Sequence, residues 1–150
     1  MRELWSEQRK FAIWLEIETL ACEAMAALGE IPKSDAEEIR KRARFSVAEI
    51  TEIEKRTNHD VIAFLENVAA SVGPAARWIH QGLTSSDILD TTLAVQLTAA
   101  GRILLEDIQA LRRVIGEQAR RYKMTPMIGR SHAGPRQRCA TVGIQLSSRE

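Results

Sequence analysis

SSDILDTTLAVQLTAAGRILLEDIQALRRVIGEQARR, residues 85–121, decides the architecture. No proline interrupts it, and Gly101 is the only glycine before Gly116. Leu89, Leu93, Leu97, Ala100, Leu104, Ile108, Leu111 and Ile115 follow at steps of three or four, the period of one helical face. Thr92, Val95, Ala99 and Ile103 widen the stripe early on, which predicts burial on more than one side. A helix of this length reaches ~55 Å at ~1.5 Å per residue, more than one small globule can cover. The stretch predicts a helical bundle completed by other chains or by sequence outside these 150 residues.

Upstream, shorter helices are expected. Phe11, Trp14, Leu15, Leu20, Ala21 and Met25 recur at helical spacing, with Gly29 as a stop. Ser34 with Glu37, and Ser46 with Glu49, each offer a capping box, and Asp60 is a candidate cap for DVIAFLENVAASV, which ends at Gly73 before Pro74. AARWIH reads as a short helical piece. After Lys123, MTPMIGRSHAGPRQRCATVG reads as a loop or irregular helix entry, and only TVGIQL hints at a strand. The fold class is all-α: a small N-terminal helical domain over residues 1–83, then the incomplete beginning of a central helical-bundle domain over 84–150.

Composition is that of a soluble protein, with 45% hydrophobic and 27% charged residues. The net charge of +1 provides no field for nucleic acid or an anionic membrane. The start MRELWSEQRKF lacks an apolar signal region, and no uninterrupted run approaches the ~20 apolar residues of a membrane span. Cys22 and Cys139 suggest neither a disulfide framework nor a metal knuckle, so a cytoplasmic location is expected.

Candidate chemistry gathers at element boundaries. His59 precedes Asp60 at a helix start, His80 precedes Gly82 and a run of hydroxyls, and His132 follows Gly129, Arg130 and Ser131. Histidine exchanges protons near neutral pH with least tuning, although from position alone a structural role suits each of the three better than a site role. No HxxxH or HExxH pairing points to a metal. Thr84 to Asp87 fits the capping pattern Ser/Thr-x-x-Asp/Glu, worth about 0.5–2 kcal/mol. One hydroxyl suffices for a cap. The hydroxyls left over stand at a helix N-terminus that attracts a carboxylate or phosphate, so capping and anion binding are both open.

TNHDVIAFLE (57–66), WIHQGLTSSDILDTT (78–92), MIGRSH (127–132) and WLEIETLACEAMAALGEIPK (14–33) together resemble the N-terminal part of the adenylosuccinate lyase family, in the fumarase/aspartase superfamily. The resemblance runs in order over about residues 4–132. It implies an all-helical homotetramer whose long helices form one bundle, with three subunits building each active site and no metal or organic cofactor. The implied small-molecule reaction is β-elimination of fumarate from adenylosuccinate, giving AMP, and from the succinyl-aminoimidazole-carboxamide ribotide of purine biosynthesis. His132 would be the general acid, with His59 supporting it or binding substrate. Thr84 and Ser85 would bind the succinyl carboxylate, while Asn58, Asp60, His80 and Ser131 line the pocket. The family's base is a serine on a downstream loop that these residues do not include, and its N-terminal Arg-Tyr segment would lie upstream of residue 1.

The segment after His132, AGPRQRCATVGIQL, departs from the family pattern. Two other readings compete. Carboxymuconate cycloisomerases carry a similar motif, against which stand Leu83, Ser86 and the HDV segment. A shortened chain could also act only as a helical oligomerisation module, and these residues alone are expected to be inactive.

Overall fold

The computed structural model describes residues 1–129 and 137–140. A 3-10 turn, Arg2–Trp5, leads into helix α1, Glu7–Leu28. Ser6 caps α1 by accepting the Arg9 N–H at 3.2 Å. Gly29, at φ 78°, ends it as expected: the Gly29 and Glu30 N–H groups close onto the Ala26 and Met25 carbonyls. Only a residue at ease in the left-handed region permits that double closure.

Helix α2, Lys33–Arg42, starts one residue before the expected capping box. The Pro32 carbonyl already accepts the Asp35 and Ala36 N–H groups, so Ser34 lies inside the first turn and caps nothing. Asp35 is drawn elsewhere. Its Oδ2 accepts Trp78 Nε1–H at 2.7 Å and Arg77 Nη2–H at 2.8 Å, which ties α2 to the 3-10 turn Pro74–Trp78. The expected AARWIH helix is that tighter turn.

Helix α3, Val47–Thr57, has its expected cap in Ser46, whose Oγ accepts the Glu49 N–H at 3.5 Å. The reciprocal half of the box is relayed through helix α4, Asp60–Val72: Asn67 Oδ1 accepts the Ser46 N–H at 2.9 Å, and its Nδ2 donates to Glu49 at 2.6 Å. At the start of α4 the cap is His59 rather than Asp60, because Asp60 already has helical geometry and its carboxylate accepts the adjacent Val61 N–H.

These helices close on an aromatic centre. Phe11 stacks on Phe64 at 5.7 Å between centroids, and Trp14 meets both edge-on. Ile39, Ile50, Val61, Val68 and Val72 complete the core, and Ile88 enters it from the long helix. Leu20, expected on the buried stripe of α1, is exposed. Trp14 Nε1 and Thr92 Oγ1 are buried without a partner among the described residues.

Helix α5, Ser85–Arg121, is one continuous element, as its sequence predicts. Its docked face is Ile88, Thr92, Gln96 and Ala100, a step of four, and Gln96 Nε2–H donates to the Leu4 carbonyl at 2.6 Å. The neighbouring stripe of Leu93, Leu97, Leu104, Ile108, Leu111 and Ile115 is about half exposed within this chain. So the helix holds to its own head by a partly polar face and leaves the leucine face open. By length and composition α5 also meets the requirement for crossing a membrane, despite having no long uninterrupted apolar run. Its docked head and its buried Thr92 and Gln96 fit a protein-facing helix.

The chain forms two compact units, Met1–Ala100 and Gly101–Glu150. The second contains a correction to the expected loop: strands β1, Pro126–Gly129, and β2, Gln137–Ala140, pair antiparallel with Pro126 opposite Ala140 and Gly129 opposite Gln137. TVGIQL lies outside the described residues. Among the described residues the architecture is otherwise helical.

Candidate active site

The turn between α3 and α4 presents three of the expected residues. Asn58 ends α3 in the left-handed region at φ 50°, a conformation that asparagine tolerates better than most residues. His59 is fixed at both ends: its N–H donates to Thr57 Oγ1 at 3.4 Å, and Nδ1 accepts the Ile62 N–H at 3.5 Å. A ring that accepts through Nδ1 carries its neutral-state proton on Nε2. His59 is thereby set to donate outward, and 42% of its side chain is accessible. Asp60 Oδ1 stands 3.6 Å from the same Nδ1.

A second cluster forms where the 3-10 turn runs into α5. His80 adopts φ 65° and Gly82 φ 76°, and the Gln81 and Leu83 N–H groups close successive turns onto the Trp78 and His80 carbonyls. Glu18, from the middle of α1, receives the His80 backbone N–H at 2.7 Å and lies 2.6 Å from Nδ1. Four residues on, Thr84 and Asp87 close the start of α5. Asp87 Oδ2 accepts the Thr84 N–H at 2.7 Å and the Thr84 hydroxyl at 3.0 Å, and the Thr84 carbonyl takes the Asp87 N–H. The Thr84 backbone N–H, then its hydroxyl, and the nearby His80 hold the Asp87 carboxyl below its ordinary range. Thr84 thus donates to the cap rather than accepting from it.

That leaves Ser85 and Ser86. Neither hydroxyl bonds to a described side chain or backbone group, and both sit in the first turn of a 37-residue helix whose leading N–H groups point outward. The arrangement suits a carboxylate: N–H donors, a spare hydroxyl, and His80 held beside it by a buried acid. Among the described residues no group of three or more His, Cys, Asp or Glu side chains is placed to hold a metal ion.

The structure therefore brings His80, Thr84 and Ser85 into one cluster and Asn58, His59 and Asp60 into another, and no hydrogen bond joins the two. His132 and Ser131 lie outside the described residues. Glu18 was missed by sequence reasoning. A signal for it exists, since Trp14, Glu18, Cys22 and Ala26 follow at steps of four and all are buried. An acid in the middle of a core stripe requires donors from elsewhere in the fold. Cys22 beside it is inert: burial, then the Glu18 and Glu23 carboxylates, push its thiol up to about 11.

Comparison with known proteins places the chain in a family. A family model described as Lyase matches residues 1–147. The chain is 44% identical over 147 residues to the adenylosuccinate lyase of Bacillus subtilis (strain 168) and 45% identical to that of Synechocystis sp., in each case over 98% of this chain and 34% of the relative. It spans about a third of the length of the curated relatives it matches. Among solved structures, a fumarate lyase from Mesorhizobium sp. BNC1 superposes with a TM-score of 0.78 at 28% identity, over 87% of this chain and 32% of that one. The β-carboxy-cis,cis-muconate cycloisomerase of Acinetobacter calcoaceticus sp. ADP1 gives 0.79 at 28% identity with the same coverage. With the family model covering nearly every residue, the chain belongs to the lyase family, in the fumarase/aspartase superfamily.

Proposed function

We propose that these residues are the amino-terminal part of an adenylosuccinate lyase, a cytoplasmic enzyme that eliminates fumarate from adenylosuccinate and from succinyl-aminoimidazole-carboxamide ribotide. Residues 1–83 form its head domain and 84–150 begin its bundle. The observation that carries the reading is the start of α5, where Thr84 and Asp87 satisfy the cap while the Ser85 hydroxyl and the helix terminus remain free for an anion. The substrate's succinyl carboxylate is that anion, held by Ser85 and, once its hydroxyl turns from Asp87 to the ligand, by Thr84, as negative charge grows on the adjacent carbon in the transition state.

The elimination needs a base for the carbon proton and an acid for the departing nitrogen. His132 is assigned as that acid and His59 as its support, with Asn58, Asp60, His80 and Ser131 lining the pocket. The base comes from sequence outside these residues. Each active site is shared between subunits, a reading supported by the open leucine face of α5, which gives those subunits a place to meet. The assembly is a homotetramer.

The full-length protein, given adenylosuccinate, should show the absorbance change of fumarate release, and the 150-residue chain alone should show none. Ser85→Ala in the full-length protein should lower kcat/KM by about 100-fold, as loss of one transition-state donor does, with little change in unfolding. Wild-type turnover in that variant would remove the carboxylate role. The superposition on a cycloisomerase suggests a second substrate. The greater identity to adenylosuccinate lyases argues for adenylosuccinate, so the same protein should leave 3-carboxy-cis,cis-muconate unchanged.

A further inference from the structure

His80 stands in the left-handed region at φ 65°, where a side chain with a Cβ is held only by its surroundings. Its holder is Glu18, 62 residues earlier in sequence and 1% exposed. A carboxylate buried that deeply requires a donor for each oxygen, and both come from one residue. The backbone N–H of His80 can only donate, and it takes Oε2 at 2.7 Å. Oε1 of the ionised carboxylate also only accepts, so at 2.6 Å the proton between it and the ring belongs to Nδ1. Nε2 is then the nitrogen left over. It has no hydrogen bond to a described residue, and the side chain keeps 21% of its surface accessible.

We propose that Glu18 is a positioning residue of the active site: it fixes the left-handed backbone of His80 and its Nδ1–H tautomer, so that Nε2 is the ring atom offered to substrate beside the start of α5. The inference rests on the reading of His80 as a pocket residue. It gives His80 the opposite polarity to His59, whose Nδ1 accepts and whose Nε2 donates. One histidine brings a lone pair and the other a proton. A purely structural Glu18 would need only the backbone bond and would be indifferent to the ring's tautomer.

Glu18→Gln separates the two roles. Its amide oxygen can still take the His80 N–H, but its NH2 group then faces Nδ1, which must become the acceptor and pass the proton to Nε2. In long-range proton–nitrogen spectra of the chain, the two ring-nitrogen resonances of His80 should exchange character between wild type and E18Q. In the full-length protein, E18Q should lower kcat/KM by about 10- to 100-fold, the usual range when a partner that orients a histidine is lost. Helix content should remain that of wild type, and Glu18→Asp should recover part of the loss. His80→Asn, which tolerates the left-handed backbone and keeps a donor near the Nδ1 position, should fold normally and lose turnover with the missing Nε2.

A wild-type ring protonated on Nε2, an unchanged tautomer in E18Q, or full turnover by E18Q would each overturn the proposal. Absence of fumarate release by the unsubstituted full-length protein would instead overturn the assigned reaction, and the tautomer result is read without it.

Discussion

At the scale of the residue, Asp87 serves the helix and the site together. Its carboxylate closes the first turn of α5 through Thr84, and in doing so turns the Thr84 hydroxyl inward and leaves Ser85 outward. Because these bonds hold its carboxyl below the ordinary range, the ionised form is favoured by folding. The stabilisation is fully present above the unfolded carboxylate value of about 3.9 and is lost as pH falls through the lower folded value. Asp87→Asn should therefore lower the urea midpoint of the chain at neutral pH, and the difference from wild type should vanish in acid. A difference independent of pH would mean that the charge plays no part. The pairing of Thr84 with Asp87 was legible in the sequence. That Thr84 donates rather than accepts was not, since the pattern fixes which residues meet but not how the hydroxyl proton is used.

At the scale of the element, caps are chosen by partners far along the chain. Ser46 was legible as a cap, yet its box is completed by Asn67, 21 residues away. Ser34 has the same local pattern and caps nothing, because Trp78 and Arg77 recruit the neighbouring Asp35 and the helix starts earlier. His59 replaces Asp60 because the backbone turns at Asn58 and so brings the imidazole, one residue sooner, to the open N–H. Local pattern places a helix start within a residue or two; long-range hydrogen bonds decide the residue. Asn67→Ala should cost the chain about 1–3 kcal/mol, the penalty for stranding the Ser46 N–H and the Glu49 carboxylate beside a new void. Equilibrium unfolding in urea measures it, and a loss well below that range would show that water replaces the amide.

At the scale of the whole molecule, α5 was the most legible element, because 37 residues of sustained period outweigh any local ambiguity. Which of its faces the head would cover was not legible. Ile88, Thr92, Gln96 and Ala100 make a less apolar line than the leucines beside them, and it is the better stripe that stays open. Joining Leu104→Lys to Leu111→Lys in the full-length protein should lower the mass seen by light scattering and abolish turnover, while the helical signal of the head persists. An unchanged mass would show that subunits meet elsewhere.

The hydrogen bond from Gln96 to the Leu4 carbonyl bears on the order of events in time. It spans 92 residues, so it closes a loop that contains the rest of the head. Pairs near in sequence, α1 with α2 and α3 with α4, have short distances to search and assemble first, and the latch follows once α5 has formed its third turn. The bond that spans the widest separation in the head, from Gln96 to Leu4, is thus expected to be the last one fastened.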